Sequence, residues 1–99
     1  MIIVTGHAIA REGAGESMQK LALEHVLRSR AEPGCVSHEV SRDVQRPERF
    51  VFVERWQDMA ALQAHFRVEA SRQFAKSMAQ LSDGRLAMAI YQAEAVNLA

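Results

Sequence analysis

Ninety-nine residues, 48% hydrophobic and 24% charged, describe one ordinary globular domain over residues 1–99, with no room for a second. Twelve Lys and Arg balance twelve Asp and Glu, so no basic field draws in nucleic acid and no net charge holds copies of the chain apart. Cys35 is the single cysteine, which excludes an intrachain disulfide, and no apolar run approaches the ~18 residues of a membrane span. With no charged leader at its start, the chain is expected in the cytoplasm.

Residues 2–10 (IIVTGHAIA) are β-branched and apolar and read as a first strand, broken by the glycines of REGAG. From Glu16 the period becomes helical. Met18, Leu21, Ala22, His25 and Ser29 share a stripe, and Leu23, Val26 and Leu27 are expected to widen it. Glu32-Pro33-Gly34 ends the helix, since proline cannot continue it and glycine tolerates the reversed backbone at its end. Residues 35–42 (CVSHEVSR) alternate, which predicts Val36, His38 and Val40 on one face and Cys35, Ser37, Glu39 and Ser41 on the other. A hairpin loop, DVQRPE, leads to a strand over 49–56 (RFVFVERW).

Asp58 is placed to cap a short helix over 59–66, with Met59, Leu62 and Phe66 as its expected inward face. A longer helix follows from Glu69 to Ser82, anchored by Phe74, Met78 and Leu81, with Asp83-Gly84 as its expected stop. A final strand is predicted over 85–96. Strand, helix, strand, strand, helix pair, strand is the order of an α+β, ferredoxin-like domain: a four-stranded antiparallel sheet with helices on one face. Those helices can cover one face of residues 50–56. Val51 and Val53 on the other need a cover that the chain does not supply, and a second copy, joined through the sheet face and the C-terminal strand, is the expected one.

Glu32-Pro33-Gly34-Cys35 entering a strand, the run from Arg49 to Trp56, Asp58, and Ala64-His65-Phe66 together resemble the antibiotic biosynthesis monooxygenase domains and their small quinol-monooxygenase-like relatives. The resemblance implies a dimeric α+β barrel with a pocket between each sheet and its helices. It implies oxidation of a quinol or polyphenolic aromatic, such as a polyketide, by O2 without a cofactor. Haem-degrading members carry an Asn, a Trp and a His where this chain has His7, His65 and Ala75, which argues against haem. Polyketide-oxidising members carry a polar residue where this chain has Phe52.

Cofactor-free oxygenation requires a base that deprotonates the substrate, and histidine exchanges protons near neutral pH. His65, at the margin of the short helix near Trp56, is the expected base, at the rim of the pocket, with His7 the runner-up. Both His7 and His38 also fit a hydrogen-bonded core role, and His25 reads as structural. Trp56, Phe52, Phe66, His38, Phe74 and Met78 are the expected substrate-binding residues, around a small aromatic molecule. No H-x-H, H-x₃-H or C-x-x-C spacing is present, so no metal is expected. The competing expectation is a non-catalytic dimeric module of the same fold that binds a small apolar molecule or serves a structural role with only itself as partner.

Overall fold

The computed structural model describes residues 1–98. Its elements are β1 (Ile2–Ala10), α1 (Gly15–Ser29), β2 (Cys35–Arg42), β3 (Arg49–Trp56), α2 (Met59–Arg67), α3 (Glu69–Leu81) and β4 (Ser82–Gln92). The four strands form one antiparallel sheet in the order β2-β3-β1-β4, and the helices pack on one face of it. This is the ferredoxin-like arrangement expected from the order of elements.

Period-2 alternation sets which residues face the helices. On β3 the inward residues are Phe50, Phe52, Glu54 and Trp56, all buried. The register builds rungs across the sheet: His38–Glu54–Val4–Ile90, Val40–Phe52–Gly6–Met88, and Arg42–Phe50–Ala8–Leu86. Phe50 and Phe52 join Met18, Ala22, Val26 and Met78 in the larger core cluster. Trp56 joins Ile2, Val4 and Leu62 in a second, flanked by Cys35 and Ala61.

Five expectations need correcting. Leu23 and Leu27 are 48% and 54% exposed, because α1 meets its neighbours along the narrower stripe of Met18, Ala22, His25, Val26 and Ser29. Val36 is exposed and Cys35 packs inward against the Trp56 cluster. A register shift between Cys35 and Ser37 inserts one residue into the edge strand and reverses the parity before it. On α2 the buried residues are Leu62 and His65, while Met59 and Phe66 lie at the exposed margin. Asp83-Gly84 does not stop α3 in a loop. The helix passes directly into β4 at Ser82, and the register slips between Ala8 and Ala10 where Gly84 takes φ +103°. That strand ends at Gln92 rather than Val96.

Two local devices hold α2 against the sheet. Asp58 accepts a hydrogen bond from the Ala61 N–H at 2.9 Å, capping the helix as expected. Gly34 has φ +82°, and a Cβ there would stand 2.5 Å from the Ala61 Cβ, so glycine is required by both backbone and space. Beneath α2 lies Trp56, with no exposed surface. Truncating it leaves a cavity between two rigid elements, and Trp56→Ala should cost about 3–5 kcal/mol in chemical denaturation. A loss under ~1 kcal/mol would be incompatible with this packing.

Candidate active site

The inward face of β1 carries Gly6 and Ala8, with little side chain to fill the space between the sheet and α3. A cavity of about 360 Å³ opens there. Phe52, Phe74, Met78, Leu86 and Met88 make its apolar walls, and His25, His38 and Glu54 make its polar end. Apolar walls with a few convergent polar groups are the usual form of a small-molecule site. Leu86, Met88 and Ile90 face the helix side yet remain exposed, so the edge strand β4 forms one open side of the cavity.

The polar end continues into the core. His25 (α1), His38 (β2) and His65 (α2) are 4%, 1% and 3% exposed, with ring centroids 5.2 to 5.7 Å apart. Phe74 stacks on His25 at 3.8 Å with the rings 2° from parallel. The Arg28 Nη2 donates to His25 Nδ1 at 2.8 Å. His65 Nδ1 lies 2.9 Å from Glu32 Oε1, and the His65 ring packs 4.6 Å from Trp56. The Trp56 Nε1–H donates to Glu54 Oε1 at 2.9 Å. His38 Nε2 is 3.3 Å from that same oxygen but out of line for a hydrogen bond, so both His38 ring nitrogens stay without a hydrogen-bond partner.

Burial pushes His25 down from an ordinary 6.5 to about 3, helped by His38, His65 and Arg28 around it. Its ring is therefore neutral at physiological pH. Burial would raise the Glu54 carboxyl, but the adjoining His38 and the Trp56 N–H outweigh it and hold Glu54 below the usual carboxylate range. Burial raises the Cys35 thiol, with Glu32 and Glu54 adding to the shift, which leaves it no thiolate character.

The sequence profile of the antibiotic biosynthesis monooxygenases matches residues 1–77. The chain belongs to that family. A candidate antibiotic biosynthesis monooxygenase from Deinococcus radiodurans is 26% identical, with a TM-score of 0.90 over 100% of this chain and 99% of that one. A further antibiotic biosynthesis monooxygenase structure is 25% identical, with a TM-score of 0.87 over 96% of this chain and 100% of that one. An uncharacterized protein of Synechocystis sp. is 30% identical over 80 residues, 81% of this chain, which spans about half (54%) of that relative's length. Among the described residues no helix is long and apolar enough to cross a membrane.

In this monooxygenase-family domain the expected substrate residues divide into two groups. Phe52, His38, Phe74 and Met78 line the cavity. Trp56 and Phe66 do not: Trp56 is sealed in the second core cluster, and Phe66 sits at the outer margin of α2. His65 is not at a rim. The turn of α2 points it inward, where it packs behind His25 and His38 and out of the cavity. His7 contributes to the cavity lining from β1, but its rung partners Val51 and Ala87 put its side chain on the sheet face away from the helices.

Sequence reasoning missed Glu54 and Glu32 and passed over His25. Glu54 carried a signal, because a carboxylate between Phe52 and Trp56 on one strand has inward parity. His25 carried one too, at an inward position of α1. Glu32 carried none, since its partner His65 is remote in sequence.

The neutral His25 sets a pH dependence for stability. Between about 3 and 6.5 the unfolded chain binds a proton at His25 that the folded chain refuses. Stability is thus full above 6.5 and falls as pH drops through that window, by up to ~1.4 kcal/mol per pH unit from this group. Denaturation series across the window should show that slope, and His25→Leu should lessen it. A wild-type stability independent of pH there would contradict the buried neutral ring.

Proposed function

We propose that this chain is a cofactor-independent monooxygenase that oxidises a quinol or another polyphenolic aromatic with O2. One observation carries the reading: an apolar cavity of a size suited to a planar aromatic ring, closed at one end by unpartnered imidazole nitrogens. Membership of the monooxygenase family supports it, as does the family assignment of the Deinococcus radiodurans structure.

In this reading the ring lies between Phe52, Phe74 and Met78, and its hydroxyl points at His38. His38 takes the hydroxyl proton, the step that makes an electron-rich anion able to reduce O2. One oxygen atom then enters the ring and the other leaves as water. A hydroquinone plus O2 gives a hydroxyquinone plus water, and the substrate itself supplies all four electrons. No external reductant is required. His65, the base expected from sequence, stands one ring behind His38 and is held by Glu32. It positions His38 and does not touch the substrate.

The test is oxygen consumption with reduced quinones and hydroxylated anthrones, with ¹⁸O₂ to trace the inserted atom. One labelled oxygen per product is expected. His38→Ala should lower kcat by about a hundredfold or more, the usual contribution of a general base. Saturable binding of these compounds with no oxygen uptake would instead favour the non-catalytic binding module.

A second copy of the chain is proposed to cover the other sheet face. Ile3, Val51, Val53, Ala87, Ala89 and Tyr91 lie there by register, and Val96 and Leu98 extend beyond β4 almost fully exposed. Burying such a surface is the ordinary source of stable association. Sedimentation at micromolar concentration should give a dimer, and Val51→Lys should dissociate it. A monomer in the wild type would refute the proposal.

A further inference from the structure

We propose that His25, His38 and His65 form a three-imidazole binding site for a late first-row divalent cation of the zinc class, at the inner end of the cavity. One ring nitrogen from each residue lies within 4.8 Å of the others. The three come from α1, β2 and α2, so their convergence is a product of the fold and no local motif announces it.

Three observations support a cation. First, all three rings are more than nine-tenths buried, and His38 is left with neither nitrogen hydrogen-bonded. An unsatisfied buried polar group costs about 1–3 kcal/mol, and a coordinated cation would remove that cost. Second, the carboxylates stand where an outer shell should. Glu32 Oε1 accepts from His65 Nδ1, which fixes the proton there and frees the Nε2 lone pair for a metal. Glu54 Oε1 stands 3.3 Å from His38 Nε2, a counter-charge beside the three rings. The two carboxylates together offset a charge of two. Third, the donor set is all imidazole nitrogen, which suits Zn²⁺, Co²⁺, Ni²⁺ and Cu²⁺ and disfavours Mg²⁺ and Ca²⁺.

A tetrahedral cation with bonds of ~2.0–2.1 Å draws its ligand nitrogens to roughly 3.3–3.4 Å of one another. The imidazoles therefore close inward on loading. His25 and His38 line the cavity, so the fourth position faces it, the arrangement of a site that keeps one coordination position open. Arg28 opposes loading. Its guanidinium donates to His25 Nδ1, which keeps the ring proton on Nε2. For His25 to ligate through either nitrogen, that contact must be given up. A bound cation would also occupy the lone pairs that the oxygenase reading uses to accept a proton, so the site goes beyond that reading and is measured without it.

The test is titration of the chelator-treated full chain with Co²⁺, read by its visible d–d absorption and by cobalt retained after dialysis. One equivalent per chain with intense tetrahedral bands, displaced by Zn²⁺ and accompanied by a rise in Tm, is expected. His38→Ala should weaken binding at least tenfold. Arg28→Met, at an exposed position where folding is safe, should tighten it, an effect that a merely structural histidine cluster would not produce. A wild-type chain with no visible band and no retained cobalt overturns the proposal. So does unchanged binding in a folded His38→Ala, or binding that is unchanged or weaker in Arg28→Met. Oxygen uptake enters none of these readings, so the cation site and the oxygenase activity can fail separately.

Discussion

A carboxylate on the inward face of a central strand is the constraint around which this domain is arranged. Glu54 lies between Phe52 and Trp56, and the alternation of β3 forces all three toward the helices. A buried carboxylate must be paired or hydrogen-bonded. Here Trp56 supplies its indole N–H and His38, directly opposite on β2, sets its ring alongside. Once His38 is drawn inward, His25 and His65 fill the space above it, and Glu32 reaches across to hold His65. The polar centre of the core thus grows outward from one strand position.

The cavity has a different origin. It exists because β1 contributes Gly6 and Ala8 where its neighbours contribute Phe52, Phe50, Met88 and Leu86. At Gly6 an added Cβ would come within 3.3 Å of the Ala87 carbonyl oxygen, tighter than ordinary van der Waals contact, so the strand resists a side chain there. Stacked Phe74 and His25 bound the space from the helix side. The direct passage from α3 into β4 keeps Met78 and Leu86 on opposite walls with no loop between the elements to fill the gap. An apolar slot with one polar end is the result.

Much of the fold was legible along the chain. Every strand and helix was anticipated within a few residues, because period-2 and period-3.6 patterns are local properties of the chain. Asp58 as a cap and Gly34 as a terminator were readable for the same reason. Errors gathered where the pattern is interrupted by something remote. Val36 and Cys35 exchanged faces at an irregularity in an edge strand, and Asp83-Gly84, a usual loop signal, became an irregularity within β4. Leu23 and Leu27 were read as core because apolarity marks a candidate for burial, and only the neighbouring elements decide how wide a helical stripe is covered.

The sequence by itself determined the element order, the inward set on β3, and the cap and glycine positions that seat α2, since each follows from spacing within one segment, and its motifs taken together resembled the family. It also set four histidines among the candidates. Which of them meet was decided by the tertiary structure alone. Imidazole chemistry depends on distances of a few ångströms between side chains, and those distances are set by how α1, β2 and α2 pack, a long-range property that no local spacing encodes. That packing turned His65 from a rim into the core, put His7 on the far face of the sheet, and brought His25, read from sequence as structural, to the wall of the cavity.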